Sequence, residues 1–227
     1  MREIVLDIET TGLSYQSGDK IIDIACVELL NFLPTGKVYQ TYINPIGRSV
    51  GNSIKIHNLS DEFLKDKKNF KEVIPEFLNF IKDSPIIAHN GLAFDIPFLN
   101  HELKSNNLNM IKNPIIDTLH LSKKKFPSSP VNLDALCRRF DVDLSIRKEK
   151  HSALIDTKLL AKVYLELKGG QQPNLILDQK NEEKNDNNKI LKKNKLKIRD
   201  FILSDDEKGK HKEFLKKIKN PIWNQYN

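Results

Sequence analysis

Two acidic residues near the N-terminus, Asp7 and Glu9, lie in residues 4–12, where apolar and polar positions alternate. Alternation with a period of two is typical of a β-strand and places both carboxylates on the same side of a sheet. Two carboxylates this close repel each other, so an apolar strand holds them at a cost unless a cation lies between them. An isolated pair also fits a strand end that reaches solvent. A metal site therefore requires further ligands elsewhere in the chain.

A third acid, Asp156, lies in the helix that we predict over residues 153–168. The apolar stripe of this helix recurs at spacings of three and four residues and consists of Ala153, Asp156, Leu160, Val163 and Leu167. An unpaired carboxylate in such a stripe is strongly disfavoured. A metal ion, an arginine or a helix N-terminus could each satisfy Asp156, and the helix alone does not decide among them.

Asp95 and His151 complete the set of residues that could do chemistry. Asp95 follows a short buried strand at residues 86–89 and precedes Ile96-Pro97, which opens a helix. Asp95 could therefore be an ordinary N-cap, or a ligand at a strand end, where α/β sites commonly lie. His151 stands five residues before Asp156, just before or at the start of the last helix. A helical His151 would point away from Asp156, so we expect it in the preceding loop.

The elements that must position these residues alternate in type along the chain. Strands are predicted at residues 4–12, 20–30, 37–44, 86–89 and 115–117, with a turn at residues 33–36. Helices are predicted at residues 70–81, from Asp95 onward, and at residues 119–126, 133–140 and 153–168. This order predicts an α/β fold with a mixed sheet and helices on its faces, ending at Gly169-Gly170.

Composition limits the class of protein without deciding it. The 227 residues suffice for one domain with an appendage, and no run of eighteen apolar residues predicts a membrane span. Cys26 and Cys137 have apolar neighbours and are expected to be reduced core residues of a cytoplasmic protein. The net charge of +7 permits nucleic-acid binding, which charge alone cannot establish.

These motifs, taken in order, resemble the DEDDh 3′–5′ exonucleases. The resemblance rests on Asp7-x-Glu9, then Asn90 to Asp95, then His151-x4-Asp156. Residues 56–64, 133–137 and 161–165 are further similar to the proofreading members that serve bacterial DNA polymerase III. The resemblance implies a ribonuclease-H-like fold over residues 1–170, two divalent metal ions and excision of mispaired 3′-terminal nucleotides.

The resemblance also implies a role for each residue of the site. The expected metal ligands are Asp7, Glu9, Asp95 and Asp156, whose hard oxygen donors suit Mg²⁺ or Mn²⁺. His151 is expected to act as the general base. The expected contacts with the 3′ end of DNA are made by Asp7, Glu9, Thr10, His57 and Asp156.

The C-terminal part of the chain is predicted to bind protein partners. Residues 171–194 should form a flexible linker, in which Gln172, Leu175 and Leu177 resemble peptides that bind the sliding clamp. Such a peptide pattern also arises by chance. Residues 195–227 resemble a segment that binds the polymerase catalytic subunit. Its expected contact residues are Phe214, Leu215, Ile218 and Trp223.

Two other functions remain open from the sequence. An RNA-trimming exonuclease of the same family would use the same ligands and base, although a clamp-like peptide and a partner-binding tail favour DNA. A polymerase scaffold with an idle nuclease site would have no need of Asp156 in an apolar stripe.

Overall fold

The structure, a computed structural model, describes residues 1–148, 152–170 and 204–218. The chain divides into two compact units, Met1–Ile176 and Leu177–Asn227. In the first unit, the described strands are β1 (Arg2–Thr10), β2 (Ile21–Leu30), β3 (Leu33–Tyr42), β4 (Ile86–Ala88) and β5 (Ile115–Asp117). Its α-helices are α1 (Ile54–His57), α2 (Asp61–Lys65), α3 (Phe70–Ile81), α4 (Asp95–Ser105), α5 (Thr118–Lys125), α6 (Leu133–Arg139) and α7 (Ala153–Leu167).

The strands form one mixed sheet in the order β3-β2-β1-β4-β5. The first three strands pair antiparallel as a meander, whereas β4 pairs parallel with both β1 and β5. The predicted α/β fold with a mixed sheet flanked by helices is confirmed. Because β1 lies at the centre, its C-terminal end has structural elements on both sides that can contribute to a site.

The hairpin between β2 and β3 turns earlier than the sequence predicted. Asn31 and Phe32 have positive φ angles of 50° and 66°. Such a two-residue turn matches the right-handed twist of the paired strands. Residues 33–36, predicted as the turn, therefore belong to β3. Pro34 and Gly36 are common turn residues, but here they lie where the pairing register of the two strands shifts.

Different helices cover the two faces of β1. Its even-numbered apolar residues pack in a buried cluster with α3 and α4. Val5 packs on the opposite face, in a cluster with α7. Because side chains alternate along a strand, Asp7 and Glu9 share the face of Val5. The predicted strand period thus directs both carboxylates toward the helix that carries Asp156.

The predicted helices of this unit are present, with modest differences at their ends. α3 begins with a capping box between Asn69 and Glu72, and α7 begins at Ala153 as predicted. Cys26 and Cys137 are buried and free, as expected. Among the described residues, no helix combines the length and the apolar character needed to cross a membrane.

The second unit is described through one helix, α8 (Asp205–Lys216). Ser204 and Glu207 form a capping box at its start, with three acids in the first turn. Phe214 is 58% exposed, and Leu215 and Ile218 are half-buried. These three predicted contact residues therefore keep much of their apolar surface exposed to solvent in this unit.

Candidate active site

Three acids from two elements converge at the C-terminal end of β1. Asp7 and Glu9 project from β1, and Asp156 projects from the first turn of α7. Carboxylate oxygens of all three lie within 4.8 Å of one another. Asp7 and Glu9 are half-buried, and Asp156 is 7% exposed. Oxygen donors at this separation can bind one cation together.

Asp95, the fourth predicted acid, is not one of the three acids that meet within 4.8 Å, although its negative charge acts on Asp7. It is the first residue of α4 and is buried, and the backbone N–H of Ile8 donates to its carboxylate. The N-cap position belongs to Phe94, so the interpretation of Asp95 as an ordinary N-cap was wrong. Asp95 instead faces the backbone of β1 from the first turn of α4.

Burial and mutual repulsion raise the pKa values of these acids. Burial is the largest cause of the raised pKa of Asp7, and the negative charges of Asp95, Glu9 and Asp156 raise it further. Burial also raises the pKa of Glu9 to about 8, with Asp156 the largest charge acting on it. The pKa of Asp95 rises to about 7, mainly through burial. A bound cation would relieve this repulsion.

Arg147 forms an ion pair with Asp156. Its Nε and Nη2 atoms each lie 2.9 Å from one carboxylate oxygen of Asp156, and Nη1 donates to Asp134 of α6. An arginine was one of the three ways in which Asp156 could be satisfied, and the structure identifies the residue. Arg147 was not predicted, because a single arginine in a loop carries no periodic signal.

Asp23 is a second residue that the predicted site did not include. It lies opposite Glu9 in the pairing of β1 with β2 and is fully buried. Nε2 of Gln40 lies 3.0 Å and 3.3 Å from its two oxygens, and the N–H of Ala153 also donates to it. Ser152, the N-cap of α7, makes no side-chain cap. Asp23 therefore caps α7 from a neighbouring strand.

Asp117 fixes the loop that leads to Asp95. Its carboxylate accepts from the N–H groups of Asn90 and Leu92, at 3.1 Å each, and caps the first turn of α5. A side chain at Gly91 would lie 2.4 Å from Cβ of the last residue of β4. The loop between β4 and α4 therefore packs closely against β4, and the Asp117 carboxylate holds it by accepting hydrogen bonds from its backbone.

The comparisons with known proteins agree with this geometry. Residues 4–164 match the family model described as Exonuclease. The DNA polymerase III subunit epsilon of Rickettsia typhi is 45% identical over 225 residues, covering 96% of this chain and 97% of its own. This chain belongs to the exonuclease family. The epsilon subunit of Buchnera aphidicola subsp. Baizongia pistaciae is 40% identical over 243 residues, covering 98% and 96% of the two chains.

Solved exonucleases share the fold. The nuclease domain of 3′hExo, a DEDDh family member bound to rAMP, has a TM-score of 0.62 at 17% identity, covering 76% of this chain and 94% of its own. Exonuclease X in complex with 5′ overhanging duplex DNA has a TM-score of 0.58 at 21% identity, covering 73% and 90%. These similarities confirm the ribonuclease-H-like exonuclease fold predicted from the sequence.

Two of the five predicted substrate contacts, Thr10 and His57, are engaged in hydrogen bonds within the protein. The hydroxyl of Thr10, at the end of β1, donates to the carbonyl of Gly12 at 2.6 Å. His57 is buried, with Nε2 2.8 Å from Oγ of Ser53, while Nδ1 accepts from the N–H of Leu59. Thr10 is the last residue of β1, and His57 lines a pocket together with Asp23 and Ser152. Their contacts with a nucleotide stay predictions.

Several predicted functional residues lie outside the described residues. They are the base His151, the clamp-peptide residues Gln172, Leu175 and Leu177, and Trp223. The linker predicted at residues 171–194 falls outside as well. Their roles remain predictions.

Proposed function

We propose that this protein is a proofreading subunit of DNA polymerase III, which hydrolyses mispaired nucleotides at the 3′ end of a DNA primer. The observation that carries the proposal is the convergence of Asp7, Glu9 and Asp156 within 4.8 Å. The epsilon relatives are similar to this chain over nearly its whole length, and their names support the proposed substrate and partner. We place its action in the cytoplasm, where a bacterial replication fork lies.

The donor set fits divalent metal ions. Asp7, Glu9, Asp95 and Asp156 would hold two ions, and their carboxylate oxygens suit Mg²⁺ or Mn²⁺. When bound, such a pair stabilises the attacking and the leaving oxygen of an in-line displacement at phosphorus. The raised pKa values of Asp7, Glu9 and Asp95 support this role, because an unbalanced cluster of buried carboxylates takes up protons or cations.

The chain's own residues would orient the substrate and move the proton. His151 would accept a proton from the attacking water, since the ordinary pKa of imidazole lies near neutral pH. Thr10, next to Glu9, would contact the terminal nucleotide. His57 would present its ring to the nucleotide, because both of its nitrogens are already engaged.

The C-terminal part of the chain would attach this nuclease to its partners. The exposed Phe214, with Leu215 and Ile218, offers an apolar surface to the polymerase catalytic subunit, and Trp223 would extend it. Gln172, Leu175 and Leu177 would bind the sliding clamp. Such tethering raises the local concentration of nuclease at the primer end to the order of mM.

The test of this proposal combines hydrolysis with metal binding. Asp7→Asn should slow hydrolysis of a 3′-mismatched primer by more than about 100-fold, since even outer partners of metal ligands cost about 10–100-fold. The wild-type protein should gain thermal stability on addition of Mg²⁺ or Mn²⁺, and Asp7→Asn should lose that gain.

The control is Asp83→Asn, which changes an exposed aspartate far along the chain from the cluster. Matched primers and an RNA strand, digested in parallel, separate proofreading from RNA trimming. Undiminished hydrolysis in Asp7→Asn would refute the site, and faster digestion of RNA than DNA would refute the substrate.

A further inference from the structure

The ion pair of Arg147 reaches both oxygens of Asp156. Nε faces Oδ1 and Nη2 faces Oδ2, each at 2.9 Å. The Arg147 side chain is 14% exposed, and that of Asp156 is 10% exposed. Nη2 donates a hydrogen bond to Oδ2, whereas Nε approaches Oδ1 as an ion pair without hydrogen-bond geometry. A guanidinium that approaches both oxygens this closely restricts the rotation of the carboxylate. Arg147 is therefore placed where it can orient the Asp156 carboxylate.

Arg147 is itself held by a second acid. Nη1 donates to Oδ1 of Asp134, whose side chain is 45% exposed on α6. The guanidinium thus links α6 to the first turn of α7. With Arg147 in this place, an oxygen of Asp156 still lies within 4.8 Å of oxygens from Asp7 and Glu9. The ion pair and the convergence of the three acids therefore exist together.

We infer that Arg147 is a positioning residue that holds the Asp156 carboxylate in the orientation that binds metal. The inference rests on the proposed metal site and adds a residue to it. Partners that bind the far side of a metal-ligating group orient it, and their loss typically weakens metal binding by about 10–100-fold. Arg147 would serve Asp156 in this way and would touch neither the substrate nor the metal.

The inference differs from two other roles for the same ion pair. If Arg147 only filled the place of a cation, removing it would strengthen metal binding by removing a competitor. If it only joined α6 to α7, removing it would lower the thermal stability of the metal-free protein and leave metal affinity unchanged. Metal affinity measured apart from activity therefore separates the three roles.

The experiment is a calorimetric titration of Mn²⁺ into the full-length protein without DNA, for the wild type, Arg147→Gln, Arg147→Lys and Asp134→Asn. We expect Arg147→Gln to bind Mn²⁺ about 10–100-fold more weakly. Arg147→Lys should be intermediate, because an ammonium keeps the charge but not the two-point contact. Asp134→Asn should lose less than about 5-fold, since half-exposed ion pairs contribute little.

Circular dichroism and thermal unfolding in EDTA report whether each variant folds. If Arg147→Gln does not fold, Arg147→Lys carries the test against the wild type. Wild-type affinity in the folded Arg147 variants, or tighter binding, would overturn the inference. Failure of the wild type to bind Mn²⁺, or unchanged binding in Asp7→Asn, would instead refute the proposed metal site.

Discussion

At the scale of single residues, the site is a set of acids held against their electrostatic preference. Burial raises the pKa of Glu9 to about 8 and those of Asp95 and Asp23 to about 7. When the pKa of an acid is higher in the folded than in the unfolded state, the free energy of unfolding falls as the pH rises between the two pKa values. For Glu9 that interval runs from its ordinary pKa of 4.5 to about 8.

The stability of the metal-free protein should therefore depend on pH through Glu9. In EDTA, Glu9→Gln should unfold at a higher temperature than the wild type at pH 8, and the difference should shrink toward pH 5. A change of 1 kcal/mol moves the midpoint by about 2–4 °C in a domain of this size. Burial lowers the pKa values of His57 and His89, so these two histidines make the free energy of unfolding rise with pH. The comparison is therefore made between two proteins that both contain these histidines.

Glu62→Gln, which changes an exposed glutamate, is the control for this pH series. Saturating Mg²⁺ should raise the stability of the wild type at pH 8 more than that of Glu9→Gln. A constant difference between the two proteins from pH 5 to pH 8 would contradict the assignment of a raised pKa to Glu9.

The proposed base, His151, permits a separate kinetic test. A general base typically contributes about 10²–10⁴-fold to a rate. His151→Gln should slow turnover by that factor while Mn²⁺ affinity and primer binding stay near wild type. A loss of Mn²⁺ affinity comparable to that of Asp7→Asn would reassign His151 from base to metal ligand.

At the scale of elements, the site depends on acids that bind backbone. Asp117 fixes the loop before α4 through the N–H groups of Asn90 and Leu92, and Asp23 caps α7 through Ala153. Neither acid belongs to the 4.8 Å cluster of the described residues. These contacts set where α4 and α7 begin, and both helices carry an acid of the site in their first turn.

Removal of the Asp117 carboxylate should displace Asp95. Asp117→Ala leaves the loop N–H groups and the first turn of α5 without their acceptor, a loss of about 1–3 kcal/mol in unfolding free energy. Hydrolysis should fall by more than the unfolded fraction explains, and Mn²⁺ affinity should fall with it. Asp83→Ala is the matched control. Unchanged metal affinity in folded Asp117→Ala would show that the loop does not position Asp95.

At the scale of the whole molecule, we propose that the first unit carries catalysis and that the C-terminal part of the chain carries attachment. The four acids lie within the first unit, whereas α8 has only 12 residues and exposes Phe214. Isolated helices of this length are marginally stable in water without a surface to pack on. A partner that buries the apolar side of α8 would supply that surface.

A chain that ends at Gly170 should therefore hydrolyse a free primer at a rate near that of the full-length protein. The same truncation should abolish capture by the polymerase catalytic subunit, and Trp223→Ala should weaken that capture. Pull-down with purified polymerase subunit, beside primer digestion, measures both effects. Loss of free-primer hydrolysis on truncation would mean that the tail belongs to the catalytic fold.

The clamp peptide makes a distinct prediction for the same assays. The double variant Gln172→Ala, Leu175→Ala should weaken binding to the sliding clamp and leave capture by the polymerase subunit unchanged. Binding to each partner in separate pull-downs distinguishes the two contacts. Equal clamp binding by this variant and the wild type would show that Gln172 and Leu175 do not bind the clamp and that the likeness to clamp peptides is a chance match.

The sequence by itself determined the direction of the acids on each element. The strand period placed Asp7 and Glu9 on one side of β1, and the helical stripe turned Asp156 inward, because local backbone geometry fixes side-chain direction. The same periodicities predicted the mixed sheet and the succession of helices. Family resemblance then joined the separate motifs into one site.

Only the tertiary structure decided which residues meet across the chain. Asp23 is an acid within an apolar strand, and this pattern could have marked it as a candidate site residue. Its contact with Ala153, however, arises from the packing of α7 on β2. Arg147 binds Asp134 on α6 and Asp156 on α7. No local sequence pattern encodes the distance between these two helices. Periodicity gives the direction of a side chain relative to its own element, whereas the choice of partner depends on how distant elements pack.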